Sequence, residues 1–201
     1  VVIGVRHLFL AGIVAASVAA CDVSESPNTT SAPTLRTACD ADAATGAVFT
    51  TAARPDMPFT LQLPQLRGWQ VTPMEGRELA LRRADRHAGR TGNATVTLDV
   101  SEPRNVADNI SVFTGIQGDW QHWRTETVEV CRRGGYQATG ILPASGVDGV
   151  DQYHEFIGFD YLAGEMLYPI RMSVEATAAD RDTYQPDIDT FVDGLQVVPA
   201  S

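Results

Sequence analysis

Phe59-Thr60-Leu61-Gln62-Leu63 alternates large apolar with polar side chains and stops at Pro64. A period of two fits an extended strand with one buried face, not a helix. The pattern recurs: Gly68-Trp69-Gln70-Val71-Thr72 ends at Pro73, Leu79-Ala80-Leu81-Arg82 makes a short third strand, and Thr95 to Val100 a fourth. Such a series reads as a meander whose sheet has one face buried and the other either wet or covered by helices.

Asn105 is placed to cap a helix in which Val106, Ile110 and Phe113 share a face, with Gly115 and Gly118 at its end. Two strands follow, from about Trp123 to Val130 and from Tyr136 to Leu142, joined by Arg132-Arg133-Gly134-Gly135, whose glycines permit a tight turn. Asp151 to Phe159 and Met166 to Glu175 are two more, linked across Leu162-Ala163-Gly164. A last helix begins at Asp182 or Thr183, holds Pro186 in its first turn, where no N–H is needed, and buries Ile188, Phe191, Val192 and Leu195. The order predicts an α+β domain: a mainly antiparallel sheet with helices packed on both faces.

The N-terminal part reads differently. Arg6 and His7 precede an apolar run from Leu8 to Ala20, and Val18-Ala19-Ala20-Cys21 closes it before Asp22, Ser24 and Glu25. The run is short of the roughly 18 to 20 apolar residues needed to span a bilayer. It has the layout of a secretory signal, residues 1–20, ending at a lipidation cysteine. An ordinary secreted chain, cleaved nearby with Cys21 present by chance, is the competing reading. With Cys21 acylated, for instance by palmitate, each buried methylene contributes roughly 0.8 kcal/mol, and two chains give stable anchoring where one is marginal. Residues 21–57 are rich in Ser, Thr, Ala, Pro, Asp and Gly and poor in large apolar groups. They read as the anchor and a flexible tether of roughly 30 to 35 Å root-mean-square reach. Residues 58–201 then form one domain of ordinary size.

All the basic residues are Arg and none is Lys, the coding bias of a GC-rich genome such as an actinobacterial one. The absence of lysine excludes the P-loop, a Schiff base with pyridoxal phosphate, and the Ser-x-x-Lys nucleophile. Losing Arg6 with the signal takes the net charge from −10 to −11, which argues against a nucleic-acid partner. Arg82, Arg83, Arg86 and Arg90, with His87 among them, read either as a solvated basic hairpin or as a patch for an anionic headgroup. With Cys21 consumed by lipid, Cys39 and Cys131 are left as a pair outside the cytoplasm, where a disulfide is expected. Closing a loop of about 90 residues contributes at most about 4 to 5 kcal/mol.

No motif for catalysis, cofactor or metal survives inspection. His87, His122 and His154 form no recognised ligand pattern, and His154 and Glu155 on a strand point to opposite faces. An EF-hand begun at Asp180 fails, with Gln185 where Gly is needed and Phe191 at the closing Glu; Asp180 and Asp182 instead suit the front of a helix. Ser145 lacks the Gly-x-Ser-x-Gly elbow. The aromatic group Trp120, His122 and Trp123 is the best candidate for ligand binding, set against a reading in which Trp123 packs in the core.

The lipobox, the polar tether, Phe59-Thr60-Leu61-Gln62-Leu63-Pro64 leading to Gly68-Trp69, the strand Ala94 to Ser101 followed by a helix, and the end Phe191-Val192-Asp193-Gly194-Leu195 together resemble the LpqN/LpqT family of mycobacterial lipoproteins. The similarity covers about residues 57 to 199, with Gln65-Leu66-Arg67 stretching the interval from Pro64 to Gly68-Trp69. The resemblance implies a PsbP-like α/β/α sandwich on a surface-exposed envelope protein, with no catalytic residues to carry over. The expectation is a non-enzymatic lipoprotein, anchored at the extracytoplasmic face of the cell membrane, whose domain recognises a protein or glycolipid partner. The alternative is a carrier or chaperone for an apolar envelope lipid, which requires an enclosed apolar cavity of roughly 300 to 1,000 Å³.

Overall fold

The computed structural model describes residues 46–87, 90–105, 119–131, 133–144 and 149–200. In chain order these form β1 (Val48–Thr50), β2 (Phe59–Pro64), β3 (Gln70–Val71), β4 (Leu79–His87), β5 (Arg90–Val100), β6 (Arg104–Asn105), β7 (Gln121–Val130), β8 (Arg133–Leu142), β9 (Gln152–Ala163), β10 (Met166–Thr177), α1 (Arg181–Gly194) and β11 (Gln196–Pro199). The main sheet is eight-stranded and runs β3-β4-β5-β10-β9-β8-β7, with β6 paired to β10; a second sheet runs β1-β2-β11. The described pairings are antiparallel. All of this lies within one compact unit, Ala32–Ser201, with its own core.

The core fills the space between one face of the large sheet and a layer made of α1 and the small sheet. Tyr168, Ile170, Met172, Val174 and Ala176 of β10 point into it, as do Val96 and Leu98 of β5 and Ile157 and Phe159 of β9. Phe59, Leu61 and Leu63 come from β2, and Tyr184, Ile188, Phe191 and Val192 from α1. The period-two and helical stripes read from the sequence are thus the buried faces. Phe59 meets Tyr161 and Tyr168 edge-on, with ring centroids 4.9 and 5.2 Å apart.

A polar clamp holds the helix to the β3–β4 edge of the large sheet. Asp187 Oδ2 accepts from Trp69 Nε1 at 2.7 Å and from the Arg83 guanidinium, while the Trp69 ring stands edge-on to Phe191 at 4.9 Å. Trp69 and Asp187 of α1 therefore meet. The capping role expected of Asp180 is not seen, since it occupies the N-cap without a side-chain bond.

Several expected boundaries move. The domain begins earlier than residue 58: Val48–Thr50 pairs with β2, and Thr51 is buried, its Oγ1 accepting from Leu61 N at 2.9 Å. The stretch has little apolar content, but backbone pairing orders it. Gly134 and Gly135 lie in β8, not in the turn, and a Cβ on Gly135 would come within 2.7 Å of the Gly158 carbonyl oxygen. These glycines serve close strand approach. α1 starts at Arg181 after a single turn at Ala178–Asp180, which puts Pro186 inside the helix. β11, not marked by the sequence pattern, adds to β2. Asn105 lies in β6, and the helix expected from it falls at 106–118, outside the described residues. Among the described residues one α-helix packs on the core face, so cover by helices is seen on that face alone. Cys21 and Cys39 also lie outside the described residues. Cys131 is buried beside the β7–β8 turn, with Sγ 3.7 Å from the Leu195 carbonyl oxygen.

Asp187→Ala removes the acceptor shared by Trp69 and Arg83 and is expected to lower the unfolding free energy by about 1 to 3 kcal/mol. Asp187→Asn, which keeps an acceptor for the indole, should cost less; urea unfolding of both variants checks the order.

Candidate functional site

The face of the large sheet opposite α1 sets small side chains beside a few large ones. Register sets Thr97, Ser173, Phe156 and Ala138 in one row across β5, β10, β9 and β8, and Thr95, Glu175, His154 and Gly140 in the next. Small residues leave room for rings. A Cβ on Gly140 would lie 2.8 Å from Trp123 Cε3 and 3.1 Å from Trp120 Cε3, so both indoles rest on bare backbone. Trp120 packs tilted against Trp123 at 5.2 Å and edge-on to His154 and Phe156 at 5.1 and 5.9 Å. His154 and Phe156 are stacked at 5.8 Å.

Beside these rings is a half-open pocket of about 330 Å³, lined by Trp120, Phe156, His154, Met74, Arg77 and Arg171 among others. Its far end is charged. Asp99, on β5 and 8% exposed, accepts through Oδ2 from Arg77 at 2.5 Å and from Arg171 at 3.3 Å. The bond to Asp99 raises the Arg77 pKa further above its ordinary value.

Three of the lining residues carry buried polar atoms without hydrogen-bond partners, Trp120 Nε1, His154 Nε2 and Arg171 Nε, and Asp99, bonded to two lining arginines, carries a fourth, Oδ1. Native interiors rarely leave such groups unpaired, because each costs about 1 to 3 kcal/mol. Their convergence on one concavity marks it as a place where a polar guest would be held. Among the described residues no group of His, Cys, Asp and Glu is arranged to hold a metal ion.

On the opposite, core-facing side, Glu155 is 1% exposed. It accepts from Gln137 Nε2 at 2.6 Å and from Tyr153 OH at 2.9 Å. Burial, and then the Glu155 charge, push the Tyr153 phenol well up, partly opposed by Arg181 over its ring. His154 and Glu155 do point to opposite faces, so no joint chemistry connects them.

Of the candidate ligand-binding residues, the structure brings Trp120 and Trp123 together. It leaves His122 exposed at a β-bulge, in the left-handed region at φ 54°. Trp123 is 36% exposed and does not pack in the core; the bulge between Gln121 and Arg124 is where the strand departs from regular pairing. Arg77, Asp99, Arg171, His154 and Phe156 complete the site. Strand alternation marks Asp99, Arg171, His154 and Phe156 as facing away from the core, but only the pairing register shows that they converge; Arg77 reaches them from the turn before β4. Of the arginine cluster, Arg82 bonds Asn93 at 3.0 Å and Arg83 joins the helix clamp.

A search of solved structures returned LpqN, involved in cell envelope biogenesis of Mycobacterium tuberculosis, at TM-score 0.54 and 10% identity over 76% of this chain and 91% of that one. The chain shares its fold with LpqN. A cyanobacterial PsbP (CyanoP) from Synechocystis aligns at TM-score 0.46 and 14% identity, over 80% of this chain and 98% of its own. No family model and no curated protein matches the sequence. The resemblance to LpqN read from the lipobox and strand motifs therefore agrees with the three-dimensional likeness, although little sequence identity remains.

Burial holds the His154 imidazole below the ordinary histidine range, an effect partly offset by Glu175 on the paired strand. The unfolded chain takes up that proton near pH 6.5, and the folded chain only lower. Stability contributed by neutral His154 is therefore intact above about pH 6.5 and is lost as pH falls towards the folded value. Melting temperatures at pH 7.5 and pH 5 should differ more in the wild type than in His154→Gln.

Proposed function

We propose that this chain is a non-enzymatic lipoprotein of the cell envelope. Cys21 holds it at the extracytoplasmic face of the cell membrane, and the domain binds a glycolipid partner in the pocket beside Trp120. The observation that carries the reading is the set of unpartnered polar atoms, Trp120 Nε1, His154 Nε2 and Arg171 Nε, on residues that line one pocket with an aromatic wall. Rings offer apolar contact and the orphaned groups offer hydrogen bonds, the combination suited to a molecule that is part apolar and part polar. The fold shared with LpqN, a protein involved in cell envelope biogenesis, and the lipobox at Val18-Ala19-Ala20-Cys21 support the envelope setting. Among the described residues no helix is long and apolar enough to cross a membrane. The pocket volume, about 330 Å³, falls at the low end of ligand sites. Its open mouth favours recognition of an exposed headgroup over carriage of a wholly enclosed apolar lipid.

The processing half of the proposal includes a bridge between Cys39 and Cys131. Intact mass spectrometry of the membrane-extracted protein should give a chain beginning at Cys21, increased by its acyl groups, with neither remaining cysteine labelled by a thiol reagent before reduction. A mass that retains residues 1–20 without added lipid would refute the anchor, and labelling of both thiols would refute the bridge.

For the binding half, native mass spectrometry of the domain Ala32–Ser201, incubated with an extract of its own envelope lipids, should reveal an added component of discrete lipid mass. Replacing Trp120 by Ala should abolish it. A ligand-free mass in both proteins would overturn the pocket reading and leave a protein partner as the better account.

A further inference from the structure

We infer that the polar end of this pocket selects a phosphate monoester borne on an apolar group. The inference rests on the pocket reading above and adds the chemical class of the head. Two guanidiniums, Arg77 and Arg171, share a single carboxylate oxygen of Asp99, which leaves one positive charge locally uncompensated. Among the lining residues the acid is Glu175. It is exposed and four residues further along β10, which is about 13 Å at the rise of a strand, beyond the screening length of about 8 to 10 Å. The arginine end is thus electropositive although the chain as a whole is strongly acidic.

The unpartnered atoms refine the choice of anion. Arg171 Nε is a buried donor with nothing to accept from it, and Asp99 Oδ1 is a buried acceptor with nothing to donate to it. A carboxylate or sulfate brings acceptors only and would leave Asp99 Oδ1 facing a like charge. A phosphate monoester, with a second pKa of about 6, is mostly dianionic at pH 7, but its singly protonated form lies only about tenfold below, within the range that an acceptor such as Asp99 Oδ1 can select. One group then accepts from arginine and donates its P–OH to Asp99. Guanidinium also matches phosphate geometry better than any other side chain. The apolar remainder of the ligand meets Met74, Phe156 and Trp120, which line the same pocket.

The test is calorimetric titration of the domain Ala32–Ser201 with octyl phosphate, 1-octanol and inorganic phosphate, each below any micellar concentration. Octyl phosphate should bind about tenfold or more tightly than octanol, and Arg171→Gln should erase about tenfold of that affinity, as expected for a charge-assisted bond. Arg77→Gln should act in the same direction. Its side chain is 36% exposed, so this variant keeps the test valid should Arg171→Gln fail to fold, with circular dichroism verifying both. Equal binding of octyl phosphate and octanol, unchanged by either substitution, would overturn the phosphate inference while leaving the pocket intact. Inorganic phosphate binding as tightly as octyl phosphate would overturn the need for an apolar group and indicate a site for free phosphate. Binding of none of the three would overturn both this inference and the pocket on which it rests.

Discussion

β10 is paired along its length with β9 and over most of it with β5, and this three-strand register governs both faces of the molecule. Side chains on one parity, from Tyr168 to Ala176, build the core beneath α1. Those on the other, Arg171, Ser173 and Glu175, line the pocket. Core and site are therefore not independent regions. A slip of one residue in this pairing would send the apolar set to the open face and bury the polar one, so the energy that fixes the core also fixes the site.

That coupling explains how much the sequence could disclose. The strands with strict alternation and the stripe of α1 were legible because burial imposes a period on them. Strand ends were less so: β4 and β5 extend well past the readable Leu79–Arg82 and Thr95–Val100, through residues ordered by pairing with each other. Val48–Thr50 and Gln196–Pro199 likewise become strands by joining β2, and nothing local distinguishes them from loop. Gly134-Gly135 reads as a turn because glycine most often serves there; its task against Gly158 depends on a neighbouring strand far along the chain.

The site was legible only in part. Trp120 and Trp123 stand out by residue type, as bulky aromatics are costly to expose. Arg77, Asp99 and Arg171 look like ordinary surface charges until register sets Asp99 opposite Arg171 and the turn before β4 brings Arg77 to them. The same holds for the absence of side chain at Gly140, which becomes meaningful once two indoles are found resting on it. Likeness to LpqN at 10% identity fits this picture. Layered packing needs only a pattern of apolar positions, which many sequences satisfy, whereas the small-residue floor and its arginines belong to this chain's own side chains.

The carboxylate of Glu155 has a bearing on how the strands find one another. Apolar contacts reward any alignment of β8 with β9 that keeps parity, so sliding one strand by two residues would cost rather little in oil-like burial. A slide in the direction that separates them would, however, carry Gln137 away from Glu155 and leave a nearly solvent-free charge short of a donor, a heavy penalty in a medium of low polarity. Hydrophobic alternation chooses the side, and this polar group opposes slippage in one direction.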